Sequence, residues 1–221
     1  MLTQFRDRRE AGRHLAGALR VPAGPPVRVL ALPRGGVPVG YEVAAALGAP
    51  LDVFVVRKLG VPGHEELAMG AIAQGGIRVL NEDVIGALGI PAVTIERVAA
   101  AETAELARRE RIYRGGAPAP DLRGHTVVLV DDGLATGATM AAAVRGVRTQ
   151  SPDRIIVAVP VASREAMQAI GEVADECVAV LTPRSFGGVG QWYEDFRQTS
   201  DEEVRILLDA SRQRPQAAPL A

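Results

Sequence analysis

The chain has 221 residues, 48% hydrophobic and 23% charged, with a net charge of -1 and a pI near 6.3. That size suits one domain, which buries roughly 70% of its unfolded surface. The near-neutral charge argues against a general nucleic-acid or anionic-membrane binder. One cysteine, Cys177, excludes an internal disulfide framework and a thiolate-rich metal site. No run of about 18 apolar residues occurs. The opening MLTQFRDRREAGRHL is charged, so neither a membrane span nor a secretory signal is expected, and a cytoplasmic location is.

Residues 3–20 place Phe5, Ala11, Leu15, Ala18 and Leu19 among charges, which predicts an amphipathic helix ended by Pro22-Ala23-Gly24-Pro25-Pro26. Val27–Leu32 is a short apolar run of the kind a buried parallel strand takes. Pro33-Arg34-Gly35-Gly36 follows it, then a helix over Val37–Leu47 and a strand over Asp52–Val56. This alternation is a βαβ unit. Leu67–Ala73 and Ile77–Leu80 flank Gln74-Gly75-Gly76 as a hairpin. Residues 94–114 predict an exposed helix, with Glu105/Arg109 and Glu110/Arg114 one turn apart. A strand over Val127–Val130, a helix over Thr136–Thr149 and a strand over Arg154–Val159 come next. A helix over Ser163–Val173, a core strand over Cys177–Leu181 and a helix over Asp201–Arg212 complete the pattern. The reading is a doubly wound α/β domain over 1–214, with about five parallel strands and a disordered tail at 215–221.

Two features concentrate chemistry. Asp131 and Asp132 leave the most apolar strand side by side, and Ala135-Thr136-Gly137-Ala138-Thr139 leads from them into a helix. Ligands of open α/β sheets bind at strand carboxyl ends. Small residues let amides approach an anion there, the threonines add hydroxyls, and the helix dipole adds about half a positive charge. The loop therefore suits a monophosphate, and the two acids a vicinal diol, as in ribose 5-phosphate; aspartates that merely cap the helix are the alternative. No lysine follows the glycine, so a P-loop is disfavoured. The second feature is Lys58, the single lysine among 25 basic residues. It offers a compact ammonium where every other cation is a guanidinium fork.

VVLVDDGLATGAT resembles the binding motif for phosphoribosyl pyrophosphate (PRPP) in type I phosphoribosyltransferases. Pro33-Arg34-Gly35-Gly36 is similar to that family's pyrophosphate loop, and Arg57 to Gly63 to a segment of its adenine enzymes. Gly133 departs from the usual branched residue. The resemblance covers residues 27–140 and is closest to a poorly characterised bacterial branch. It implies that Asp131 and Asp132 hold the ribose hydroxyls and that Ala135, Thr136, Gly137, Ala138 and Thr139 hold the 5-phosphate. Arg34, Gly35 and Lys58 would then face pyrophosphate, with a non-proline cis peptide in the first loop. Mg²⁺ is implied as cofactor, held through PRPP near Asp131 and Asp132 with no separate protein site. A small nitrogenous base would be the acceptor, pyrophosphate a product, and a homodimer the assembly.

Residues 60–114 would form a mobile lid, with glycines at 60, 63, 70, 75 and 76; a static dimer contact is the alternative. The purine enzymes' bases are missing, since Ala135 and Ala73 stand at their positions. Glu66 is the candidate base, against a reading of Glu65 and Glu66 as solvated loop charges. Residues 182–200 would form a small C-terminal hood. Four of the eight aromatic residues (Phe186, Trp192, Tyr193 and Phe196) lie there. Phe186, Trp192 and Tyr193 are expected to stack on the acceptor, or else to plug the sheet edge, and Phe196 to join the core. A PRPP or nucleotide sensor without turnover is the competing function.

Overall fold

The computed structural model describes residues 4–214, apart from the side chains of Glu65 and Glu66. The tail 215–221, expected to be disordered, lies outside the described residues. The elements are α1 (Arg8–Ala18), β1 (Val27–Ala31), α2 (Gly36–Leu47), β2 (Leu51–Val53), β3 (Val56–Val61), β4 (His64–Ala73) and β5 (Ile77–Leu80). They continue with α3 (Glu82–Leu88), α4 (Ala92–Arg114), β6 (Thr126–Val130), α5 (Ala138–Arg148) and β7 (Arg154–Val161). α6 (Arg164–Gly171), β8 (Glu176–Leu181), a 3-10 turn at Val189–Trp192 and α7 (Asp201–Arg212) follow.

Among the described residues, five strands form a parallel sheet in the order β2-β1-β6-β7-β8, as an α/β fold requires. β6 is buried at every position. Val128 and Val130 enter one core with Val29, Ala31 and Ile156, beneath Val39 of α2 and Leu208 of α7. Val127 and Leu129 enter the other with Leu30, Ile155 and Val157, beneath Ala143 and Val147 of α5. A strand covered on both faces needs apolar residues at each position, which is why this one reads as an unbroken run. α1, α6 and α7 start where side chains cap them: Asp7 accepts from the Glu10 amide, Ser163 from Ala166 and Ser200 from Glu203.

Several expectations need correction. The strand expected over Asp52–Val56 is divided, because β2 ends at Val53 and β3 begins at Val56, with buried Phe54 and Val55 carrying the chain between sheets. β3 therefore occupies most of the Arg57–Gly63 segment, and it pairs antiparallel with β4, Lys58 opposite Ala71. α3 has no counterpart among the expected elements; Asn81 caps it and left-handed Gly89 ends it. β8 is an edge strand, half-buried throughout, rather than a core one. Arg114 does not lie on an exposed face with Glu110. It is 6% exposed, with Nε 3.3 Å from Asp52 Oδ1 and Nη2 donating to the Val53 carbonyl. That contact ties α4 to the end of β2, whose outer edge has no neighbouring strand among the described residues. Glu105 pairs with Arg109 as expected and also with Arg108, and the two guanidiniums lower its pKa to about 2. α4 as a whole buries Ile95, Ala99, Leu106 and Tyr113, so it is only partly a solvent-facing helix.

Candidate functional site

β1 and β6 are neighbours in parallel register, Ala31 opposite Val130, so their exit loops lie side by side. The Leu32 amide donates to the Val130 carbonyl at 2.8 Å, and the Pro33–Arg34 peptide is cis. A Cβ on Gly35 would overlap Asp132 Oδ2. Glycine at this position lets the first loop lie directly over the second acid.

The two acids differ in their surroundings. Asp131 Oδ1 accepts from the Asp132 amide at 2.8 Å. Burial, and then the charge of Asp132, push the Asp131 carboxyl well above the usual carboxylate range. Burial also raises Asp132, but Arg8 opposes it through its charge and a hydrogen bond from Nε to Oδ2 at 2.8 Å. The Tyr193 hydroxyl donates to the Asp132 carbonyl at 2.5 Å. The pair is thus polarised: one acid faces a cation, and the other is held chiefly by a backbone amide.

Beyond them, the chain is anchored by Leu134, which is buried and bridges to Ala162. The Ser163 hydroxyl donates to the Ala135 carbonyl at 2.7 Å. Ala135 and Thr136 are exposed, Gly137 has φ 77°, and Ala138 and Thr139 are exposed at the start of α5. Amides in the first turn of a helix have no carbonyl one turn earlier to bond. The Ala138 amide makes only a long bond of 3.4 Å to Thr136 Oγ1. The structure therefore brings together the residues expected to meet a diol and a monophosphate. At the other end of α5 lies a cavity of about 310 Å³ lined by Val144, Arg145, Arg148, Thr149 and Val173. Its Arg148 is tied to Asp175 at 2.9 Å, and no acid pair or anion loop among the described residues faces it.

Gly133 is explained by the 3-10 turn at Val189–Trp192. A Cβ there would come within 2.6 Å of Val189 Cγ1 and 3.1 Å of Val161 Cγ1. The space a branched residue would fill is occupied by the 3-10 turn.

Other expected residues are more dispersed. Arg34 is half-buried, with Nη1 3.8 Å from Asp201 Oδ1 at the start of α7. Tyr113 of α4 donates to the same Asp201 oxygen at 2.7 Å. The sequence marks Asp201 only as a helix start. Lys58 is exposed on β3, in the antiparallel sheet, and Arg57 pairs with Glu102 at 2.6 Å. The Glu66 side chain lies outside those described. Ala73 is 2% exposed.

In the aromatic segment Phe196 departs from expectation. Tyr193 is 4% exposed in a cluster with Phe5, Ala11 and Val161, against which Phe186 and Trp192 pack half-buried. Phe196, expected in the core, is 37% exposed and stacks on Tyr193 with centroids 5.1 Å apart. The Arg8 guanidinium sits 4.1 Å from the Phe196 ring centre. Phe5 forms a parallel bridge with Tyr193, and the Glu194 and Asp195 amides donate to the Phe5 and Arg6 carbonyls. The N-terminal segment is therefore part of the site. No local signal announces this, since Arg8 and Asp132 lie 124 positions apart.

No group of three or more His, Cys, Asp or Glu among the described residues is arranged to hold a metal ion. No helix among them is long and apolar enough to cross a membrane.

Residues 3–190 match the family model described as phosphoribosyl transferase domain. Two Mycobacterium tuberculosis proteins, from strains CDC 1551 and H37Rv, bear the provisional name phosphoribosyl transferase. Each is 48% identical to this chain over 205 residues, which cover 93% of this chain and 46% of theirs. The chain thus spans about half the length of these relatives. The crystal structure of TT1426 from Thermus thermophilus matches with a TM-score of 0.82 at 46% identity. That match covers 93% of this chain and 97% of the other.

Proposed function

Because this chain belongs to the phosphoribosyl transferase domain family, we propose that it moves ribose 5-phosphate from PRPP to a nitrogenous base, purine-like or related, and releases pyrophosphate. The observation that carries this reading is the adjacency of three parts. Asp131 and Asp132 sit at the end of β6, the Pro33–Gly36 loop covers Asp132, and the exposed loop 135–139 opens α5. One sugar phosphate can meet all three.

In this reading the first-turn amides of α5 and the hydroxyls of Thr136 and Thr139 hold the 5-phosphate. Asp131 and Asp132 accept from the ribose hydroxyls, fixing the sugar with its anomeric carbon toward the Arg34-Gly35 loop. The acceptor nitrogen bonds to that carbon as the bond to the diphosphate oxygen breaks. Positive charge grows on the sugar and negative charge on the leaving group. Arg34 and Lys58 stabilise the departing pyrophosphate, so catalysis consists of positioning and electrostatics. The acceptor's proton goes to a base, for which Glu66 is our candidate. The donor set fits Mg²⁺ only in part. Asp131 and Asp132 are hard oxygen ligands, but too few to complete an octahedral shell without substrate oxygens and water. A Mg²⁺ that arrives on PRPP would neutralise charge on the diphosphate.

The test is a nucleobase panel incubated with PRPP and Mg²⁺, read as pyrophosphate release. Release with one base and none without it supports the transferase, whereas PRPP binding with no turnover on any base overturns it. That second result would favour a sensor, the reading that Ala135 and buried Ala73 support, since neither can take a proton.

A further inference from the structure

We propose that Arg8 is a positioning residue of this site, holding the Asp132 carboxylate in place for the sugar diol and making α1 and the C-terminal loop part of the sugar pocket. The inference rests on the proposed sugar-phosphate reading. Arg8 is the first residue of α1, whose start is fixed by the Asp7 cap. Its guanidinium has three anchors. Nε donates to Asp132 Oδ2 at 2.8 Å, Nη1 donates to the Arg197 carbonyl at 2.7 Å, and the plane lies over Phe196. The side chain is 11% exposed and that of Asp132 15%.

Such a group is not a surface ion pair of little consequence. Two carboxylates on consecutive residues repel each other, and Asp131 has no cation bonded to it among the described residues. Arg8 offsets that repulsion and occupies one Asp132 oxygen, which leaves the other to accept from a sugar hydroxyl. A carboxylate can accept from both partners at once. The anchors also set direction. The Arg197 carbonyl and the Phe196 ring fix the guanidinium, and the guanidinium then fixes the acid. Through this side chain the order of the 193–197 segment is transmitted to the sugar acid.

The experiment measures calorimetric affinity for ribose 5-phosphate and for inorganic phosphate, using the full chain. Arg8→Ala is expected to weaken ribose 5-phosphate by at least about tenfold, the size of one charge-assisted hydrogen bond, and inorganic phosphate by less than about twofold. On an Asp132→Asn background the same change should cost less than about twofold, because the two residues act as a unit. Should Arg8→Ala fail to fold, Arg8→Lys keeps a cation over Phe196 but lacks the fork of separate nitrogens that reaches Asp132 and the Arg197 carbonyl together. It should show the same selective loss, reduced to about threefold. Equal losses for both probes would mean a merely structural role and overturn the proposal, as would unchanged ribose 5-phosphate affinity or additive effects with Asp132→Asn. If the unaltered chain binds phosphate but gains nothing from the sugar, the diol reading fails first and the role of Arg8 falls with it.

Discussion

At the ends of β1 and β6 the site is held by main-chain ladders: parallel pairing sets the two loops side by side, and amides fix Asp131. Around residues 186–197 it is held by contacts between distant parts of the chain, a short main-chain bridge from Phe5 to Tyr193 and side-chain packing of Phe5 against Tyr193, Arg8 on Phe196 and Val189 over Gly133. The first region depends on strand order and small residues, and a single substitution there is expected to act on the proposed ligand contacts. The second depends on packing, and a substitution of an apolar packing residue there acts first on stability, Arg8 being the side chain that links it to the acids.

The sharpest way to break this comparison is to remove the acids. Asp131→Asn combined with Asp132→Asn should weaken PRPP by more than about tenfold in calorimetry with Mg²⁺, because several charge-assisted bonds are lost together. Unchanged affinity would mean that the ladder-held end is not the sugar site.

The packing region should respond in stability. Gly133→Val forces Val189 away and should cost about 1–3 kcal/mol in denaturant unfolding. Adding Val189→Ala should restore most of that, and failure to restore it would show that the turn, not the contact, sets the preference.

Lys58→Ala tests the antiparallel layer. Its side chain is exposed, so the free energy of unfolding should hold within about 0.5 kcal/mol. Turnover, or pyrophosphate affinity, should still fall by about threefold to tenfold, the effect of one charge-assisted contact. If neither moves, Lys58 has no part in the site.

The smallest effect concerns pH. Burial raises the Asp131 carboxyl in the folded chain. An acid raised in this way favours folding below its unfolded pKa, and that contribution is lost as pH rises through the folded value. Paired acids such as Asp175 and Glu105 have lowered values, so their stabilisation is instead lost toward acid. Melting curves of Asp131→Asn against the unaltered chain isolate the one group. The asparagine chain should gain relative stability from acid to neutral pH, and a constant difference would refute the burial argument.

What could be read before folding follows the same division. The strand at 127–130, the acids after it and the small-residue loop are contiguous, and their chemistry depends on neighbours in the chain. Leu134 and Ser163 only secure what that order implies. β3 is hidden because Gly60 interrupts it and the Pro62-Gly63 turn follows at once, whereas its pairing is supplied by β4. Arg114 belongs by spacing to Glu110, but the open edge of β2 claims it. Phe196 reads as core because it is aromatic, and the Arg8 side chain that sits on it comes from the other end of the chain.

The bridge between Phe5 and Tyr193 has a bearing on biosynthesis. A ribosome releases chains from the amino end at about 5–20 residues each second, and domains tend to fold in that direction. Here α1 finds Asp132 only once residues 124 positions further along are made, and the Arg197 carbonyl later still. The pocket is therefore completed only after the strands that carry it have been made, by the same late stretch that delivers α7, whose Leu208 covers one face of the sheet.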